Sequence, residues 1–236
     1  MARQLIVLGG GGFSMEPSPL LDKYFLAAAG KTSPRICFLP TASGDADSYQ
    51  LKFYRAHAGY PCVASHLSLF QPHTADLQGF LLAQDAIFVG GGNTLSMLAL
   101  WRTWGVDILL RRAYEQGTVI GGISAGMICW FQQGLTDSIP GPLTALQGLG
   151  WLPGGACPHY DGEALRRPTL QDKVASGSMP DSWAADDGAA LHFIDEQFHA
   201  AVSSRPLARA WHLQRQADGS LQEIALPTRY LGDMQP

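Results

Sequence analysis

Gly122-Ile123-Ser124-Ala125-Gly126 lies between two apolar runs, Thr118-Val119-Ile120 and Met127-Ile128-Cys129-Trp130-Phe131. The pattern reads as strand, sharp turn and helix, with a serine at the apex. A serine held there is pushed out past the sheet edge, where its hydroxyl can attack a carbonyl. The glycines two residues to either side leave room for the helix to pack on the strand. In a chain with 27 glycines the pentapeptide alone also fits an ordinary βα turn with a capping serine. The apolar runs on both sides favour the nucleophile.

A serine nucleophile needs a base, a group to orient the base, and donors for the oxyanion. Of the seven histidines, His159 stands out, in Cys157-Pro158-His159-Tyr160-Asp161 within a loop-rich stretch. His192 and His199 fall in apparent strands, His57 in a helix and His66 in a strand, where structural histidines are common. Two carboxylates compete to orient the base. Asp137 follows the serine helix in Gly134-Leu135-Thr136-Asp137-Ser138, and Asp187 lies in Ala185-Asp186-Asp187-Gly188; either also suits a solvated turn. Gly90-Gly91-Gly92-Asn93-Thr94 closes an apolar run, and consecutive glycines there can turn backbone N–H groups toward a developing negative charge. The residue after the nucleophile, Ala125, supplies a second such donor, while Asn93 also suits a helix cap. Arg166 and Arg167 could grip a substrate carboxylate or simply lie exposed in a loop.

These residues need a scaffold, and the chain alternates strand-length apolar runs with helical stretches. Runs at Leu5–Leu8, Ile36–Leu39, Val63–Leu69 and Ala86–Val89 precede the serine strand. Helices are expected at Ser18–Ala29, Tyr49–Ala58, Leu95–Trp101 and Val106–Gln116. This alternation predicts an α/β fold with a mostly parallel sheet covered on both faces. Sites in such sheets form at the carboxyl ends of the strands. Beyond Phe131 the reading is long Gly- and Pro-rich loops over Gln133–Gly155, a short helix at Leu170–Ala175, and late strands at Ala189–Ile194, Phe198–Val202 and Ala208–Leu213. No linker is visible, so residues 1–236 read as one domain.

Composition narrows the chemistry. The net charge is −4 with no basic block, which argues against nucleic acid. No run approaches a membrane span, and the apolar run near the start is too short for a signal-peptide core. The four cysteines never form Cys-x-x-Cys and read as reduced thiols of a cytoplasmic protein. Gly9–Gly12 fails the dinucleotide spacing because position 15 is Met15, and no Gly-Lys-Ser/Thr follows it. It reads as a tight turn lining a pocket, with no cofactor. His159 and Asp161 lack further metal ligands.

Taken in order, Gly90-Gly91-Gly92-Asn93-Thr94, Gly122-Ile123-Ser124-Ala125-Gly126 and Pro158-His159-Tyr160 resemble the peptidase E family of serine peptidases, which includes the aspartyl dipeptidases. The resemblance spans roughly residues 5 to 195. It implies a flavodoxin-like three-layer sandwich akin to class I glutamine amidotransferases, with the nucleophile elbow at Ser124. It implies His159 as base, Gly91 or Gly92 with Ala125 as oxyanion donors, and neither metal nor cofactor. The acid implied is Asp137, with Asp187 as runner-up. An arginine downstream of the histidine, Arg166 or Arg167, is expected to bind an N-terminal aspartate, with Asn93 also lining the substrate site. The activity implied is hydrolysis of dipeptides or short peptides through an acyl-enzyme on Ser124. The protein would act alone or as a homodimer on a small peptide. The rival readings are a cyanophycinase-like hydrolase of β-aspartyl-arginine units and a catalytically idle binding or stress-response protein.

Overall fold

The computed structural model describes residues 2–233. Along the chain come β1 (Gln4–Leu8), α1 (Gly12–Met15), α2 (Leu20–Ala28), β2 (Arg35–Leu39), α3 (Asp47–His57), β3 (Val63–His66), α4 (Leu77–Leu82) and β4 (Ala86–Val89). Next are α5 (Thr94–Trp104), α6 (Val106–Glu115), β5 (Val119–Ile123) and α7 (Ala125–Ile128). Five of these strands pair in parallel in the order β1-β5-β4-β2-β3. The alternation of apolar runs and helices dictates this arrangement, because each parallel crossover lays its helix on a sheet face.

Side-chain alternation along β1 shows both faces buried. Leu5 and Val7 enter one core, with Ile87, Val89, Leu98, Trp101 and Leu110. Ile6 and Leu8 enter another, with Phe25, Phe38, Phe53 and Phe88. Helices α2 and α3 cover the second face; α5, α6 and α7 cover the first. The fold is therefore α/β and flavodoxin-like, with helices on both sides of a mostly parallel sheet, as the alternation predicts.

In the remainder the late strands and the helix at Leu170–Ala175 fall where expected, and the main departure lies before them. The segment read as loops contains β6 (Phe131–Thr136), β7 (Thr144–Gln147) and β8 (Leu152–Cys157). After α8 (Arg166–Ala175) come β9 (Ser182–Ala185), β10 (Ala189–Ile194), β11 (Gln197–Ser203), β12 (Ala210–Arg215), β13 (Leu221–Ala225) and β14 (Thr228–Tyr230). β10 pairs antiparallel with β1 and extends the first sheet to eight strands through β11 and β14. The others form a second sheet, ordered β13-β12-β9-β8-β6-β7. Glycines disguised these strands because they serve close approach rather than turning: a Cβ at Gly155 would lie 2.2 Å from the Ser182 hydroxyl of the neighbouring strand. A third core, including Leu135, Cys157, Tyr160, Leu170, Val174 and Leu213, packs α8 on this second sheet. Among the described residues no helix is long and apolar enough to cross a membrane.

Candidate active site

Ser124 follows β5, all five residues of which are buried. Its backbone is strained, at φ 58° and ψ −108°, outside the regions an L-residue normally occupies. Such a conformation costs on the order of 1–3 kcal/mol and persists only where neighbours over-determine it. Here they do. The Ser124 N–H donates to the Leu8 carbonyl at the end of β1 (3.1 Å), and the Ser124 carbonyl accepts from Met127 and Ile128 (2.8 and 3.0 Å). The glycines at 122 and 126 are required by close packing, since a Cβ on either would lie 2.3 Å from the Val89 carbonyl oxygen. The Ser124 side chain is half-buried and makes no hydrogen bond to cap α7.

The Gly-rich loop after β4 lies against this serine: a Cβ on Gly91 would stand 3.2 Å from Ser124 Cβ and 3.7 Å from Oγ. The N–H groups of the loop are not equivalent. Gly90 donates to Leu39 (3.0 Å), Gly91 to the Tyr49 hydroxyl (3.3 Å) and Asn93 to Ala42 (2.8 Å). Among the described residues the Gly92 N–H has no protein acceptor, so of the two glycines expected as donors, Gly92 is the uncommitted one. Its φ of 137°, and the 2.2 Å separation a Cβ would have from the Ala42 carbonyl, demand glycine. The Ala125 N–H opens α7, where helix geometry leaves it without an intrahelical partner. Asn93, expected to line the substrate site, has its side chain committed elsewhere. Its Oδ1 caps α5 by accepting from Ser96 (2.9 Å), and its Nδ2 donates to the Ser138 carbonyl (2.9 Å).

His159 stands just past β8, with φ 53°, and its N–H donates to the Gly9 carbonyl (3.3 Å). Its Nδ1 is 2.7 Å from Asp187 Oδ1. A carboxylate only accepts, so Nδ1 carries the proton and Nε2 is left as the basic nitrogen. The hydrogen bond from His159 holds the Asp187 carboxyl below the usual range, with help from the charges of His159 and Arg205 and against the effect of burial. Asp187 is fixed in turn: its N–H donates to Asp161 Oδ1 (2.8 Å), and Gly10 pairs with it as an isolated bridge. A Cβ at Gly10 would fall 1.9 Å from Asp187 Oδ1. Gly9 and Gly10, expected within a tight turn, instead carry the strand pairing onward to Ala189 and Gly188 (both 3.0 Å), and Gly10 makes room for this carboxylate.

The preferred acid of the sequence reading, Asp137, is not at His159. Its side chain is 66% exposed and its nearest ionic partner is Arg166, at 3.5 Å. The Thr136-Asp137-Ser138 segment instead secures the start of α5: the Ser138 hydroxyl accepts the N–H of Thr94 (2.9 Å) and is 2.8 Å from Thr136 Oγ1. Asp187, the runner-up, is the residue that meets the histidine.

Neither arginine is available as expected. Arg166 is 2% exposed, its Nε bonded to Glu163 (2.7 Å) and its Nη1 to the Leu135 carbonyl (2.8 Å). Arg167 pairs with Glu223 (2.5 Å) and lies over the Trp211 ring, 4.5 Å from its centroid. Glu223 also accepts from the Tyr160 hydroxyl and from Gln171, so this network joins α8 to the second sheet. Removing a buried charge partner strands the groups it satisfied. Arg166→Met should therefore cost about 2–4 kcal/mol of stability by urea unfolding, while KM for short peptides stays unchanged where the variant is folded. A large KM rise at full stability would restore Arg166 to the substrate site.

Sequence reasoning missed Tyr49 and the carbonyls of Leu8 and Gly9, and it weighed Asp161 only as a metal ligand. No local signal marks them, since each matters only through a contact made by the folded sheet. Ser124 Oγ and His159 share no direct hydrogen bond among the described residues; such contacts often tighten only when substrate is bound. Their backbones nonetheless hang from consecutive residues, Leu8 at the end of β1 and Gly9 just past it.

The comparisons with known proteins agree with this architecture. The sequence pattern of peptidase family S51 matches residues 5–201. An uncharacterized peptidase of Bacillus subtilis (strain 168), YgaJ, is 52% identical over 231 residues, covering 98% of this chain and all of that one. Among solved structures, a peptidase from an acI-B1 Actinobacterium superposes with a TM-score of 0.69 at 14% identity, over 96% of each chain. A putative peptidase E protein from Listeria monocytogenes EGD-e gives 0.62 at 17% identity, over 84% of this chain and 98% of its own. Those two share the fold; the family assignment rests on the sequence match. The chain belongs to peptidase family S51.

Proposed function

We propose that this peptidase is a serine enzyme that hydrolyses dipeptides or other short peptides through an acyl-enzyme on Ser124. The observation that carries the reading is the convergence on one strand end of a strained, uncapped serine, a histidine paired at 2.7 Å with a carboxylate, and a glycine loop with an uncommitted N–H. In this scheme His159 Nε2 takes the Ser124 proton as Oγ attacks the peptide carbonyl. The oxyanion rests on the N–H groups of Gly92 and Ala125. His159 then protonates the leaving amine, and the same base activates the water that resolves the ester. Asp187 fixes the tautomer and stabilises the imidazolium.

Restriction to N-terminal aspartate has less support, because Arg166 and Arg167 are both engaged within the protein. A panel of Asp-X, Glu-X, Leu-X and Ala-X dipeptides tests the reading. The expected result is serine-dependent cleavage that is not confined to Asp-X, with a fluorophosphonate adduct mapped to Ser124. Cleavage of Asp-X alone would return one arginine to the site. Failure to cleave any of them, with Ser124 unlabelled in folded protein, would overturn the peptidase mechanism.

A further inference from the structure

A cavity of about 300 Å³ opens between α1 and α3, lined by Ser14, Ser43, Ala46, Ser48, Tyr49 and Lys52. We propose that it is a carboxylate-binding subsite for the substrate, with Lys52 as its cation. The proposal rests on the peptidase reading and names what that site would select.

Position comes first. Two residues of the lining touch the Gly-rich loop. The Tyr49 hydroxyl accepts the Gly91 N–H at 3.3 Å, and its ring packs so closely that a Cβ on Gly90 would lie 2.9 Å from it. Ser43 backs onto Gly92, whose added Cβ would sit 2.9 Å from the Ser43 nitrogen. The loop in turn abuts Ser124. The cavity therefore adjoins the same loop that abuts the serine.

Chemistry comes second. Lys52 is the one charged residue of the lining, and no carboxylate is among the six. Among the described residues Lys52 joins no salt bridge; its Nζ reaches only the Ser14 carbonyl, at 3.4 Å. The Ser43 hydroxyl is spent on the Pro40 carbonyl (2.7 Å) and the Ser14 side chain bonds with Tyr49, which leaves Ser48 as the neighbouring hydroxyl donor. The cavity at the ends of β2 and β3 is the opposite in character: Asp45 and Asp47 line it, together with His66 and His73. A carboxylate is repelled there and attracted at Lys52.

The carboxylate can be the α-carboxylate of a dipeptide or an acidic side chain, and amidated peptides separate the two. Binding of Ala-Ala, Ala-Ala amide, Asp-Ala amide and Ala-Asp amide would be measured by calorimetry on Ser124→Ala, alone and combined with Lys52→Met or Lys52→Arg. The expected result is about threefold to fivefold tighter binding of Ala-Ala than of its amide, the size of an exposed ion pair. Lys52→Met should erase the difference and Lys52→Arg should keep most of it. A Lys52-dependent preference for the Asp-containing amides alone would identify the side chain as the source. Equal binding of all four peptides, a preference that survives Lys52→Met, or no binding at millimolar peptide would overturn the subsite. A Lys52-dependent preference in a protein that cleaves no peptide would uphold the subsite and sink the peptidase mechanism instead.

Discussion

Ser124→Ala should lower kcat/KM for short peptides by at least about 10⁴-fold, leaving only what the oxyanion donors and binding supply. The structure adds a second expectation that distinguishes this serine from an ordinary turn residue. At φ 58° and ψ −108° any side chain is strained. Alanine keeps the Cβ and therefore keeps the strain, whereas glycine releases it. Ser124→Gly should then be as inactive as Ser124→Ala but more stable than the wild type by about 1 kcal/mol or more. Thermal unfolding of the three proteins checks this. A glycine variant no more stable than the alanine one would mean that the turn is not under tension, and an active alanine variant would end the case for a serine nucleophile.

The second large effect belongs to Asp187. Asp187→Asn should cost about 10³–10⁴-fold in kcat with little change in KM. An amide at the Nδ1 contact no longer enforces the productive tautomer or balances the imidazolium. Asp137→Asn should stay within a few-fold of wild type, because its side chain is largely in solvent and meets only Arg166 at 3.5 Å. Steady-state kinetics on the pair decides between them, and the reverse pattern would reinstate Asp137 as the orienting acid.

The difference between these two aspartates marks where sequence reading stops. The elbow at Ser124 was legible because its signal is local: apolar strand, glycine, serine, glycine and apolar helix lie in one continuous stretch. The parallel half of the main sheet was legible for the same reason, since alternating runs specify both the elements and their crossovers. His159 was found in Pro158-His159-Tyr160 because it stood outside any regular apolar pattern. The acid was not separable, since Asp137 and Asp187 both sit in turn-like surroundings. Only the folded contact of Asp187 with His159, braced by its pairing with distant Gly10, selects between them. Arg166 misled because a charged residue near a histidine looks exposed until the α8 packing buries it. Of the second sheet the strand at Ala208–Leu213 was legible, while β6, β7 and β8 escaped because Gly134, Gly148 and Gly155 look like punctuation, yet each is pressed against a neighbouring residue.

Leu8, Gly9 and Gly10 hold, in that order, the backbone of the serine, the backbone of the histidine and the carboxylate partner. β1 lies in the interior of the eight-stranded sheet, between β5 and β10. Opening motions that fray a helix or an edge strand leave this strand paired, and those that release it disrupt the sheet at its centre. Peripheral opening can then leave the nucleophile beside its base, whereas an opening that reaches β1 separates the two. In amide exchange, the Ser124 N–H should fall with the most protected class. A cell carrying copies of this enzyme opened at the centre of the sheet would hold inert copies, not ones that hydrolyse indiscriminately.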